Sequence, residues 1–130
     1  MKANELMIGD LVIIEGYSRI CAITEVGVYF VDRNGIGTTS FDRIEPIPLT
    51  TEILEKNGFI RQQLGHFRYE NEDNDLVMAF YPKEKNYTEG GYDYIDIYKG
   101  RMTLQDMPIS YVHELQHALR LCGIDKEIVL

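Results

Sequence analysis

Gly9-Asp10-Leu11-Val12-Ile13-Ile14-Glu15-Gly16-Tyr17-Ser18-Arg19-Ile20-Cys21-Ala22-Ile23 holds two short apolar runs, Leu11-Val12-Ile13-Ile14 and Arg19-Ile20-Cys21-Ala22-Ile23, each entered through a glycine-containing turn. β-Branched residues favour strands and glycine ends them, so the stretch reads as two short strands separated by a turn. Downstream, Val28-Tyr29-Phe30-Val31 stands between Gly27 and the Asp32-Arg33-Asn34-Gly35 turn, and Thr38-Thr39-Ser40-Phe41 leads to Ile44-Glu45-Pro46-Ile47-Pro48. Strands this short must curl to bury both ends of their sheet, which predicts a small Src-homology-3-like β-barrel. Pro46 and Pro48 lack the N–H a ladder needs and close that module at residue 48.

A helix opens the second part. Thr50 is placed as N-cap, Leu49 and Leu54 as a hydrophobic staple, and Asn57-Gly58 as the left-handed stop. Phe59–Gln63, His66–Glu70, Leu76–Tyr81 and Tyr92–Tyr98 then read as antiparallel strands joined by Gly65, by Asn71–Asp75 and by a loop through Gly90-Gly91. A second helix runs from about Pro108 to Cys122 and stops at Gly123, with a short terminal strand expected over Asp125–Leu130. The fold class expected is α+β: a small N-terminal β-barrel over residues 1–48, then over 49–130 a helix, an antiparallel sheet and a C-terminal helix packed on it. At 130 residues the two modules are expected to fold as one cooperative unit.

Composition narrows the function. Charged residues make up 26% and hydrophobic residues 45%, enough apolar material for a core. The net charge of −8 is spread along the chain, with four Lys/Arg against seven Asp/Glu up to Pro48 and nine against fourteen beyond it. A phosphate backbone is held by clustered Lys and Arg, and no basic stripe exists here, so direct nucleic-acid binding is disfavoured. The N-terminal residues hold no run resembling a signal peptide, and no stretch reaches the roughly 20 apolar residues of a membrane span, which gives a cytoplasmic expectation. Cys21 and Cys122 lie far apart and form no thiolate pair, so free buried thiols are expected.

One motif looks like chemistry. His113-Glu114-Leu115-Gln116-His117 places two imidazoles one helical turn apart with a glutamate between them, the arrangement by which a zinc hydrolase holds its metal and activates water. Around the helix, however, Tyr111, Val112, Leu115, Ala118, Leu119 and Cys122 form the apolar arc, and His113 and His117 fall opposite it beside Gln116 and Arg120. The expectation is a solvent-facing pair and no metal, with His113, His117 and Glu114 kept as the competing zinc site. Its third ligand would have to be Asp125, Glu127 or His66. The acidic run Glu70–Asp75 lacks the spacing and glycine of a calcium loop and reads as a hairpin turn.

Tyr81, Tyr87, Tyr92, Tyr94 and Tyr98 could form a stacking platform for bases or sugars, but no arginine or lysine cluster accompanies them and sheet packing is the expected role. In the last strand Ile95 and Ile97 point one way and Tyr94, Asp96 and Tyr98 the other, marking a half-wet face as the candidate interaction surface.

Ile8-Gly9-Asp10, Glu45-Pro46-Ile47-Pro48-Leu49-Thr50, Gly58-Phe59 and Tyr111-Val112-His113-Glu114-Leu115-Gln116 together span nearly the full length. On these motifs the chain resembles a group of small uncharacterised proteins of prophages and mobile elements in gut Bacteroidetes. The resemblance implies a link to mobile DNA and no known chemistry. In that group asparagine usually stands at the place of His117, and it would not serve as a zinc ligand. The function expected is a non-enzymatic, acidic protein-interaction module whose partner is another protein. The alternatives are a zinc-dependent hydrolase and a nucleic-acid mimic or anti-restriction protein, which would need carboxylates in a regular surface row.

Overall fold

A computed structural model describes residues 1–83 and 93–130. Among the described residues ten strands form two five-stranded antiparallel sheets, accompanied by two α-helices, so the protein is mainly β rather than the expected α+β. The chain divides into two compact units. One comprises Met1–Pro48 with Tyr111–Ala118, and the other Leu49–Ser110 with Leu119–Leu130. No helix among the described residues is long and apolar enough to cross a membrane.

In the first unit β1 (Leu11–Ile13), β2 (Tyr17–Ile23), β3 (Gly27–Asp32), β4 (Gly35–Ser40) and β5 (Glu45–Pro46) lie in the order β4-β3-β2-β1-β5. Leu6, Val12, Ile14, Ile20, Val28 and Ile44 are buried together as its core, flanked by Met1, Ile23, Phe30 and Phe41. The first three strands lie where the apolar runs mark them, β4 starts at Gly35 and ends before Phe41, which begins a 3-10 turn, and the expected Src-homology-3-like barrel does not form. Among the described residues β4 and β5 remain the two edges of an open sheet. Closure would require β4 to find a partner along its length. β5 has only two residues, one of them Pro46 without an N–H, and β4 presents only Gly37 and Thr39 as half-buried positions. Little apolar area would be gained by bending the sheet round to meet itself.

In the second unit α1 (Thr51–Lys56) begins where expected, with the Thr50 hydroxyl accepting from the N–H of Ile53, and stops at Asn57 before Gly58 at φ +88°. β6 (Ile60–Arg61), β7 (Phe67–Asn71), β8 (Leu76–Tyr81), β9 (Tyr94–Lys99) and β10 (Met102–Pro108) form a meander in the order β10-β9-β8-β7-β6. Phe67, Met78, Phe80, Ile95 and Ile97 are its buried side. β10 is a fifth strand that the sequence does not announce, while the strand expected at 59–63 shrinks to two residues. The terminal strand expected over Asp125–Leu130 is not formed. In its place the buried side-chain amide of Asn57 donates to the carbonyl of Val129 at 2.7 Å and accepts from its N–H at 2.8 Å, as a neighbouring strand would. The Gly90-Gly91 loop, Tyr87 and Tyr92 lie outside the described residues.

The second helix, α2 (Val112–Leu121), is shorter than the expected 108–122 because β10 runs on to Pro108. It starts in the first unit and ends in the second. Gly123, at φ +70°, donates to the carbonyl of Arg120 and stops it as predicted.

Candidate functional site

Of the two histidines of α2, His113 is buried and His117 only partly exposed. His113 is 6% exposed and Gln116 5%, and the side chain of His117 is 29% exposed. The expectation of a solvent-facing pair fails because a helical wheel shows which side of a helix is most apolar, not how many sides are covered. Val112, Leu115, Ala118 and Leu119 are buried on the apolar arc, and the opposite side is covered too, by the Gly9-Asp10-Leu11 segment of the first unit.

That coverage is made by hydrogen bonds. Gln116 Oε1 accepts from the N–H of Leu11 at 2.8 Å and its Nε2 donates to the carbonyl of Gly9 at 3.0 Å, so one side-chain amide satisfies the backbone on both sides of Asp10. Arg19 adds a second donor to the Gly9 carbonyl at 3.2 Å. Asp10 itself has 0% exposure, and His117 Nε2 lies 3.0 and 2.9 Å from its two carboxylate oxygens. The carboxylate also accepts from the N–H of Met7 at 2.7 Å, turning the chain into the strand. A buried carboxylate is tolerated only when its oxygens are occupied in this way.

These tasks bear directly on the zinc reading. The nitrogen with which His117 would hold a metal is directed at Asp10. Glu114, which would activate water, accepts from the N–H of Tyr111 at 3.0 Å, the reach-back of the N3 residue in a helix cap. His113 stands apart from both. Its ring stacks on Tyr111 with centroids 5.9 Å apart and meets the edge of His117 at 5.5 Å, and its buried Nδ1 has no hydrogen-bond partner. Burial holds its pKa below the ordinary imidazole value of 6.5, against the upward pull of Asp10 and Glu114. Among the described residues no three His, Cys, Asp or Glu side chains gather in a way that could hold a metal, and Asp125, Glu127 and His66 complete no such set.

Tyr94, Asp96 and Tyr98 lie together on one face of β9, half-exposed, with Ile95 and Ile97 buried beneath. The register extends that face across the sheet. Tyr94 is paired with Tyr81 and Pro108, Asp96 with Ala79 and Asp106, and Tyr98 with Val77 and Thr103. At one end three rings stack in series, His66 on Tyr81 at 5.0 Å and Tyr81 on Tyr94 at 4.9 Å. At the other, the Arg68 guanidinium sits 5.9 Å from the centre of the Tyr98 ring. Arg68 Nε is also 2.9 Å from Glu70 Oε1, although not along its N–H bond.

Between these ends Asp96 stands directly across from Asp106 and is hydrogen-bonded to it. Partial burial first, and then the charge of Asp106, raise the Asp96 carboxyl above its ordinary 3.8. Burial likewise raises Tyr81, helped by the nearby Asp96 charge. Asp106 and His66 belong to this face although the sequence does not single them out for it. The signal for Asp106 is register, which becomes readable only once β10 is known to pair with β9, and that for His66 is its place just before β7, beside Tyr81 of β8.

The chain matches no family model, no curated protein and no solved structure.

Proposed function

We propose that this chain is a non-enzymatic interaction protein that grips a basic segment of another protein on the wet face of its second sheet, through Tyr94, Asp96 and Tyr98 with Tyr81 and Asp106. The observation that carries the reading is the direct opposition of Asp96 and Asp106 between flanking tyrosine rings. Like charges opposed across a ladder repel, and the Asp96 carboxyl, partly buried and facing Asp106, is held above its ordinary value. An arginine or lysine laid between the carboxylates relieves that repulsion, flanked by the tyrosine rings on either side. The net charge of −8 draws such a segment from a distance. The setting proposed is cytoplasmic, in keeping with two free cysteines, Cys21 exposed and Cys122 half-buried rather than both buried as expected, and linked to mobile DNA through the resemblance of its motifs.

The test is a fluorescence anisotropy titration of the full chain with a short synthetic peptide carrying arginine at alternate positions, and with its glutamate counterpart. Binding of the arginine peptide alone, weakened about tenfold by Asp96→Asn and by Tyr98→Ala, supports the reading. Equal binding of both peptides, or affinity unmoved by either substitution, overturns it.

A further inference from the structure

We propose that β4 of the first unit is the surface by which two copies of this chain join, strand against strand. Among the described residues β4 has a neighbour, β3, on one side only, so its other edge offers a row of backbone donors and acceptors. Natural edges are guarded by lysine, proline or a bulge. β4 reads Gly35-Ile36-Gly37-Thr38-Thr39-Ser40, with no charge and no proline over six residues. Ile36 lies on its outward face at 76% exposure, beside the exposed Val31 and Tyr29 of β3. An unguarded edge carrying an exposed isoleucine is a pairing surface.

Three features select a second copy as the occupant. A two-fold axis perpendicular to the sheet keeps outward faces outward only in registers that pair positions of equal parity. With Thr38 opposite Thr38 of the second copy, the strand is overlapped along nearly its whole length, and Ile36 falls opposite Ser40 of that copy. At the Ser40 end the hairpin carries an open depression lined by Val26, Tyr29, Thr38 and Ser40 among others. Knob and depression thus lie on the same strand, spaced so that one two-fold seats both. Charge agrees. Asp32 and Arg33 stand at one end of β4 and Asp42 and Arg43 at the other, so the segment sums to zero in a chain of net −8. Antiparallel pairing brings one balanced end against the other, and the rest of the acidic surface contributes repulsion screened beyond about 8 Å at physiological salt.

Sedimentation velocity of the full chain from micromolar to millimolar concentration tests this. A monomer–dimer equilibrium is expected, with Thr38→Lys, which sets two ammonium groups against each other on the axis, raising the dimer Kd at least about tenfold. Ile36→Lys removes the knob and acts in the same direction, and unchanged circular dichroism of both variants shows that the monomer fold is kept. In a Cys21→Ser, Cys122→Ser background, Thr38→Cys is expected to oxidise to a covalent dimer, since opposed strand residues lie within disulfide reach. A chain that stays monomeric throughout, a dimer indifferent to both lysines, or failure of the cysteine to cross-link overturns the proposal.

Discussion

His117 Nε2 lies 2.9 Å from Oδ2 of Asp10, a carboxylate with no exposed surface, joining two positions 107 residues apart. Removing the imidazole takes one donor from a fully buried carboxylate that keeps the Met7 N–H, so His117→Ala is expected to lower the stability of the fold by about 1–2 kcal/mol. His117→Asn, which keeps a donor at that place, should recover much of the loss. Urea unfolding of the three proteins decides the matter, and equal midpoints for wild type and His117→Ala would show that the pair contributes nothing.

Gln116 faces the same segment, and its two hydrogen bonds have no substitute of another shape. Gln116→Leu is nearly isosteric yet leaves the Leu11 N–H and the Gly9 carbonyl short of a partner, and is expected to cost about 2 kcal/mol. Gln116→Glu keeps the acceptor for Leu11 and loses the donor for Gly9. Amide hydrogen exchange should show the loss first at Leu11 in the leucine variant and leave that amide protected in the glutamate variant.

His113 makes stability depend on pH in a known direction. Its folded pKa lies below 6.5, chiefly through burial, so the unfolded chain takes up the proton first. Its contribution is complete above 6.5 and is lost as pH falls from there toward the folded value. His113→Phe keeps an apolar ring against Tyr111 and is expected to flatten this part of the stability profile while adding about 1 kcal/mol near its acid end. Chemical denaturation across that pH range, with slopes identical in the two proteins, would contradict the assignment.

Asp96 acts in the opposite sense. Its folded pKa is raised, first by burial and then by Asp106, so its contribution is favourable below about 3.8 and is lost as pH rises through the folded value. Asp96→Asn removes the like-charge opposition and is expected to stabilise the protein by about 0.5 kcal/mol at neutral pH. The same substitution should weaken the arginine peptide, so stability and binding move apart. A variant that loses both would mean that Asp96 is structural.

Much of the fold is legible because its signals are local. Leu76–Tyr81 is an apolar run of strand-forming residues that becomes β8 over those same residues, and Thr50 and Gly58 bracket α1, all within a few residues of where physics requires them. What escapes is set at long range. β10, Met102-Thr103-Leu104-Gln105-Asp106-Met107-Pro108, carries no β-branched run and is rich in residues that favour helices, so it becomes a strand because β9 offers it a ladder. The open sheet depends on what β4 and β5 find at their edges, which no window of sequence contains. Gly27 reads as a turn residue but opens β3, and a Cβ there would come within 2.0 Å of the Thr39 carbonyl oxygen. The buried pair on α2 is hidden for the same reason, since its partners Gly9, Asp10 and Leu11 stand more than a hundred residues upstream. Tyr94, Asp96 and Tyr98, by contrast, announce their shared face through simple alternation.

The most direct test of the proposed function is an amide and aromatic NMR titration of the full chain with the arginine peptide. The largest shifts are expected at Tyr94, Asp96, Tyr98, Asp106 and Tyr81, fading as pH is lowered and Asp96 takes up its proton. Shifts confined to other surfaces, or no saturable shift at all, would contradict it.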